Sequence, residues 1–287
     1  MPLGRVHARY RDAMENSPEW DASLFGGAAQ FYERGRLPYA PGLPNAFRDA
    51  LRADGTGRLL DVGCGPGSIT LRLAGAYAEV VGIDPDPGML REAERLRDKR
   101  RITNATFIRA PAEDLPLGLG DFDTITFASS FHWMDRERAA RTVQSMLRAG
   151  GAVVQIDTVR RDGESPAGQY PPPPRKQIGE LVRQYLGEQR RAGQKVGFVY
   201  PTNEEDVWRA AGFSGPELVR IPDNRVLTRS IDDVIAGTLS MSSSAPHLFG
   251  ERLPDFRNDL RELLHAASVS GNFSVALTDN ELRIWRP

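Results

Sequence analysis

The sequence predicts an α/β fold, a doubly wound and mostly parallel sheet with helices on both faces. Three observations carry this expectation. From Arg58 to Asp157, short apolar runs rich in branched residues alternate with longer segments of helical periodicity, and such alternation requires crossover connections between parallel strands. The first of these runs, RLLDVG, dissolves into Gly63, Gly65 and Gly67 before helical periodicity resumes, which marks a strand-turn-helix junction open to a ligand. A chain of 287 residues, 40 % of them hydrophobic, is long enough for a full core with additions.

The elements follow in order. Residues 5–35 carry apolar residues at mixed helical spacing and stop at GRLPYAPGL, so they read as a helical extension ending in a Pro-rich turn. A short helix at 44–53 leads into the strand RLLDVG. Next come helix 67–76, strand EVVGID, helix 86–98, strands ATFIRA and FDTITFAS, helix 135–147 and strand GAVVQID. The alternation then breaks at DGESPAG and at PPPP, a stiff turn. Helix 176–191, a loop to 203 and helix 204–211 follow. PELVRIPDNRVLT reads as one strand, 231–241 and 254–267 as helices, and FSVALTDNELRIWRP as a hairpin-like pair. These elements divide the chain into an N-terminal extension (1–53), a ligand-binding core (54–157), a lid-like insertion (158–215) and a C-terminal completion of the core (216–287).

Composition narrows the function classes. Lys and Arg total 37 against 38 acidic residues, a net charge of −1, which offers no field for nucleic-acid binding. Neither a membrane-length apolar run nor a signal-peptide core is present, so a soluble, cytoplasmic protein without a membrane partner is expected. The single cysteine, Cys64, excludes an intrachain disulfide. No His/Cys/carboxylate spacing suggests a metal site.

The glycine turn and two acids define the ligand. Side-chain-free backbone lets a ligand approach the partly positive start of a helix. A dinucleotide fingerprint spaces its glycines G-x-G-x-x-G, whereas here they run G-x-G-x-G, with Asp61 two residues before the first. A carboxylate at that mouth repels a pyrophosphate and attracts a cation. Downstream, Asp84 ends the second strand with Pro85 after it, where an acid can accept hydrogen bonds from both ribose hydroxyls. A ribose without a pyrophosphate is thus implied. A nicotinamide-dependent oxidoreductase remains the alternative enzyme class, and a non-catalytic cofactor-binding relative the alternative to an enzyme.

These motifs resemble those of the class I S-adenosylmethionine-dependent methyltransferases, whose fold is Rossmann-like. LDVGCGPG is similar to their first motif, VVGIDPDPGML to the segment after the second strand, and FDTITFASSFHWMD to the fourth-strand motif. The His-Trp pair, YERGRLPYAP and LSMSSSAPHLFGERLPDFRNDLRELL resemble a small-molecule branch akin to trans-aconitate and quinone-pathway methyltransferases. The resemblance spans most of 28–160 and, more weakly, 218–287. It implies backbone contacts from Gly63, Gly65 and Gly67 to the methionine part of S-adenosylmethionine, Asp61 near its ammonium, Asp84 on its ribose and Arg36 near its carboxylate, with Tyr39 also among the cofactor-binding residues. One departure matters: where the family often reads Gly-Asp-Ala-Glu, this chain reads RAPAED. Pro111 supplies neither an N–H nor a side-chain acceptor, so adenine is expected to meet the Ala112 N–H and the Glu113 carboxylate.

Ligands of open α/β sheets sit beyond the carboxyl ends of the strands. The residues there are Asp61, Asp84, Ala112, Ser129 to Trp133, and Asp157. Methyl transfer from a sulfonium is an in-line displacement, for which the protein aligns the reactants and removes a proton where the nucleophile carries one. His132 is the candidate base, or else a hydrogen-bonding residue of the cofactor wall. Asp157 is the candidate to orient a polar or cationic acceptor, or else a turn acid. Trp20, Tyr32, Tyr39, Tyr170, Tyr200 and Trp208 lie in segments able to cover the site. An Asn/Asp-Pro-Pro-Tyr signature is absent after the fourth strand, so the expected acceptor is the hydroxyl or amine of a small polar metabolite, such as a sugar or aminosugar in natural-product (antibiotic) tailoring.

Overall fold

Strand-forming runs bordered by glycine turns assemble, in a computed structural model, into one central sheet. The structure describes residues 23–159, 168–189 and 203–287 and the backbone of 191–192 and 195–196. Trp20, Tyr200, most of the expected loop before 203 and the expected helical residues 5–22 lie outside the described residues. The strands in chain order are β1 (Arg58–Val62), β2 (Glu79–Asp84), β3 (Ala105–Arg109), β4 (Phe122–Ala128), β5 (Leu147–Val159), the two-residue pair β6 (Arg191–Ala192) and β7 (Lys195–Val196), β8 (Ser214–Ile221), β9 (Val226–Ser230), β10 (Asn272–Ala276) and β11 (Asp279–Arg286). Seven of them form the sheet in the order β3-β2-β1-β4-β5-β11-β8. β1 to β5 run parallel, and β11 runs antiparallel to both β5 and β8.

The parallel strands are covered on both faces, which explains their near-continuous apolar runs. Alternate residues supply opposite layers: Leu59, Val80 and Val154 belong to one core, and Leu60, Val81, Ile125 and Val153 to the other. The chain leaves β1 toward β2 on one side and returns from β3 to β4 on the other. A crevice therefore opens above the carboxyl ends of β1 and β4, the switch point where ligands of this architecture bind.

Three expectations are corrected. FSVALTDNELRIWRP is no hairpin: β10 pairs with β9 in a separate two-stranded sheet, while β11 inserts between β5 and β8. PELVRIPDNRVLT likewise divides at Pro222 into β8 and β9, which belong to different sheets. The helix expected from residue 67 begins at Thr70 and is helical only to Leu73 before a 3-10 turn, Ala74–Ala76. Gly67 has φ +75°, which a right-handed helix excludes, so the turn extends further than the apolar spacing suggested.

A cap sits beside the sheet. Helices Arg175–Leu186, Ile231–Leu239 and Leu253–Ala267 enclose Phe249, Phe256, Leu260, Leu264 and Phe273. Helix Ala29–Gly35 crosses Ile231–Leu239 so closely that a Cβ on Gly35 would lie 2.3 Å from the Ala236 carbonyl oxygen. Helix Glu204–Ala210 instead packs on the sheet, with Trp208 fully buried and stacked on Phe131 at 4.4 Å. The stretch 158–215 thus contributes one helix to the cap and another to the core.

Candidate active site

The three glycines shape the floor of the crevice. Gly63, Gly65 and Gly67 have φ of +69°, +53° and +75°, a region L side chains avoid. A Cβ on Gly63 would lie 2.7 Å from Ser130 Cβ, and one on Gly67 3.0 Å from the Phe107 ring, whereas nothing stands within 4 Å of one on Gly65. Gly65 therefore presents bare backbone to open space. That space is an open cavity lined by Gly63 and Gly65 but not by Gly67.

Asp61 proves to be a brace of the turn and does not line this cavity. It is 1 % exposed. Its Oδ2 accepts the backbone N–H (3.1 Å) and hydroxyl (2.6 Å) of Thr70, and its Oδ1 accepts the Thr126 hydroxyl at 2.8 Å. The carboxylate thus binds β1 to the start of the following helix and to β4. Burial raises its pKa, opposed by these same bonds.

Asp84 does line the cavity. One carboxylate oxygen accepts the Gly65 N–H at 2.8 Å and the other the Asp86 N–H at 2.9 Å, so each keeps acceptor capacity for a ligand hydroxyl. Burial pushes its carboxyl up to about 7 against those two bonds. Asp86 caps helix Pro87–Lys99 through the N–H groups of Gly88 and Met89, which sets Pro85 and Met89 into the wall.

The opposite wall comes from the ends of β3 and β4. Pro111, Ala112 and Glu113 line it as a 3-10 turn begins. Glu113 Oε1 accepts the Asp135 N–H at 2.7 Å, so a second oxygen remains for a ligand. Ser129, with φ +52°, lies on the rim after β4, and the Ser130 hydroxyl donates to the Val62 carbonyl at 2.6 Å. Phe25 and Trp133 meet edge to face across the cavity at 6.1 Å.

Arg36, Tyr39, His132 and Asp157 do not line the cavity. Arg36 donates through Nη2 to the Ser240 carbonyl at 2.8 Å and sits 4.8 Å from the centre of the Tyr32 ring, which does line it. Its Nε is buried with no hydrogen-bond partner among the described residues. Burial lifts the Tyr39 phenol far above its usual range. His132 lies on the turn Phe131–Trp133, its ring 4.7 Å from that of Trp133. Asp157 stands directly opposite Glu281 on β11, and burial, with Glu204 next, pushes its carboxyl up to about 6. Among the described residues, no three His, Cys, Asp or Glu side chains group to hold a metal ion.

Phe25, Met89, Ala128 and Met134 line the cavity without having been anticipated. Met89 falls inside the VVGIDPDPGML motif, and Phe25 stands before a Gly-Gly pair; those were the available signals.

Residues 59–151 match the family described as methyltransferase domain. Over these residues the chain is similar to S-adenosylmethionine-dependent methyltransferase domains. It is 37 % identical over 137 residues to an uncharacterized methyltransferase of Mycobacterium tuberculosis, covering 46 % of this chain and 51 % of that one. It is 34 % identical over 132 residues to a demethylmenaquinone methyltransferase of Thermus thermophilus, covering 45 % and 54 %. The chain spans about half the length of these relatives. A methyltransferase of Geobacter sulfurreducens, solved with S-adenosylhomocysteine, shares the fold with a TM-score of 0.51 at 15 % identity, over 92 % of this chain and 97 % of that one. The open space before Gly65 and the double acceptor Asp84 fit S-adenosylmethionine, the cofactor that the similarity to methyltransferase domains implies. Among the described residues, no helix is long and apolar enough to cross a membrane.

Proposed function

We propose that this protein transfers the methyl group of S-adenosylmethionine to a hydroxyl or amine of a small polar metabolite in the cytoplasm, as in the tailoring of a sugar or aminosugar of a natural product. The observation that carries this reading is the join between Gly65 and Asp84 on the cavity floor, which sets bare backbone and a two-oxygen acceptor side by side. Asp84 holds the ribose, and the backbone at Gly63 and Gly65 cradles the methionine part. Ala112 N–H and the unengaged Glu113 oxygen meet adenine in place of the side chain that Pro111 lacks.

Bound there, S-adenosylmethionine supplies an electrophilic methyl carbon that requires no further activation. The chain's own work is alignment, an effect of roughly 7–11 kcal/mol where reacting atoms are held in line. Trp133 and Phe25 exclude water from the adenosine. Arg36, held by Ser240 and the Tyr32 ring, is the cation for the methionine carboxylate, with Tyr39 behind it. His132 accepts a proton from a hydroxyl acceptor, and Asp157 orients a polar or cationic one.

Calorimetric titration with S-adenosylhomocysteine and with NADH tests the cofactor, and only the first is expected to bind. Incubation with labelled S-adenosylmethionine and separate sets of aminosugars, sugars and quinols tests the acceptor. Label confined to a quinol carbon would replace the polar-metabolite reading with one nearer the quinone-pathway relatives.

A further inference from the structure

We propose that His247 is a positioning residue that seats the Phe25 turn over the cofactor cavity and thereby sets cofactor affinity; the affinity part rests on the cavity being the S-adenosylmethionine site. Phe25 belongs to a turn, residues 23–28, held internally by Gly26 N–H to Ser23 O (2.9 Å) and Ala28 N–H to Phe25 O (2.8 Å). Two such bonds leave the turn's placement undetermined. Among the described residues, its contacts beyond the N-terminal segment include Met89, Trp133 and residues 245–247, the last more than two hundred positions away.

His247 Nδ1 lies 3.1 Å from the Gly26 carbonyl oxygen. A carbonyl oxygen only accepts, so Nδ1 carries the hydrogen. The His247 backbone N–H points to the same oxygen at 3.5 Å. The imidazole also occupies the space before Gly26, where a Cβ would come within 3.0 Å of Nδ1, and Pro246 stands 3.3 Å from where a Gly27 Cβ would be. Ala245 packs with Ala28 and Met89. The 245–247 stretch thus clasps the turn from outside, and Phe25 emerges edge-on to Trp133 at the cavity.

The other imidazole nitrogen shows why this residue is histidine. Nε2 is buried without a hydrogen-bond partner among the described residues, an unfavourable state for a polar atom. An apolar side chain would fill the site without that penalty. What histidine adds is the Nδ1–H donor aimed at Gly26.

Amide exchange of the protein without ligand and calorimetry with S-adenosylhomocysteine test the proposal. In His247→Gln, whose amide reaches toward the Nε2 position, exchange at residues 25–28 is expected to quicken about tenfold, the equivalent of one hydrogen bond. Exchange in helix Ile231–Leu239 should stay unchanged. His247→Asn, whose amide nitrogen can stand near the Nδ1 position, should restore slow exchange. Kd should rise about tenfold in His247→Gln and in Phe25→Ala, and no further in the double variant, because both remove one ceiling. Unchanged exchange in His247→Gln, an Asn variant as fast as the Gln variant, or Kd losses that multiply would overturn the proposal. Wild-type protein that binds no S-adenosylhomocysteine would refute the cofactor reading and the affinity part, while the exchange comparison would still decide whether His247 seats the turn.

Discussion

Asp84 and Gly65 are joined by a 2.8 Å hydrogen bond from the Gly65 N–H to Asp84 Oδ2. The bond fixes the tip of the glycine turn to the end of the neighbouring strand. It also explains why the two motifs must act together: Gly65 gives the ligand room, and Asp84 holds both the turn and the ligand. Asp84→Ala is therefore expected to weaken S-adenosylhomocysteine binding by about 2–4 kcal/mol, since hydrogen bonds to a charged acceptor contribute roughly 1.5–3 kcal/mol each and water replaces part of the loss. An unaltered Kd by calorimetry would remove Asp84 from the ribose.

The same carboxyl gives cofactor affinity a pH dependence. Burial, with Asp86 and Asp61 nearby, raises the Asp84 pKa to about 7, and ribose hydroxyls donate to its ionised form. Affinity should therefore rise about tenfold from pH 6 to pH 8, with proton release on binding, and Asp84→Asn should flatten the profile. Stability runs the opposite way. With a folded pKa above the unfolded 3.8, the native state holds a proton that the unfolded chain has lost between about pH 4 and 7. This group's contribution to stability therefore falls as pH rises through that window and levels off above it. An affinity that stays flat in wild type from pH 6 to 8 would contradict the assignment.

Much of this was legible in the sequence, and the limits have physical causes. The parallel core, the glycine turn and Asp84 could be read because each is set by local spacing at a strand end. Asp61 could be placed at the turn but not assigned its role, because its partners Thr70 and Thr126 lie 9 and 65 positions away and only the fold brings Thr126 to it. β10 and β11 look like a hairpin because a short polar link joins two apolar runs. Nothing local reveals that β11 is needed between β5 and β8. Phe25 and His247 come together only through the fold: His247 stands within LSMSSSAPHLFGERLPDFRNDLRELL, but no spacing there reveals Gly26, 221 positions away, as its partner.

The brace role of Asp61 has its own test. Asp61→Ala leaves the Thr70 and Thr126 hydroxyls and the Thr70 N–H without their buried acceptor, so the loss of unfolding free energy should be about 3 kcal/mol or more. Asp61→Asn, which keeps one acceptor oxygen, should lose less. Urea denaturation of the two variants checks this order. Wild-type stability in both, combined with weakened cofactor binding, would return Asp61 to the ammonium contact inferred from the family resemblance.

The crossing of the two cap helices should be intolerant of even a methyl group. A Cβ on Gly35 falls 2.3 Å from the Ala236 oxygen and 2.6 Å from the Gly237 nitrogen, and both are backbone atoms that no rotamer change can move. Gly35→Ala should destabilise the protein by about 1–3 kcal/mol despite the better helix propensity of alanine. Because helix Ala29–Gly35 carries Tyr32 into the cavity, Kd for S-adenosylhomocysteine should rise as well. A denaturation midpoint equal to or above wild type would mean that the helices cross less closely in solution.

Arg36 joins the cap to the site. Its Nη2 is held by the Ser240 carbonyl and its guanidinium lies over the Tyr32 ring, yet its Nε is buried with no partner among the described residues. A carboxylate reaching that nitrogen would satisfy it and gain a charge-assisted bond, worth roughly twice a neutral one. The methionine carboxylate is the anion a cofactor in this cavity would bring. Arg36→Ala is accordingly expected to weaken S-adenosylhomocysteine binding about tenfold or more while leaving far-ultraviolet circular dichroism unchanged. Amide exchange in residues 28–42 should slow when the ligand is added to wild type, and less so in the variant. If Arg36 serves only to pin the cap through Ser240, the variant will instead lose stability at unaltered Kd, and exchange in this stretch will ignore the ligand. That result would leave the glycine turn to hold the methionine end alone.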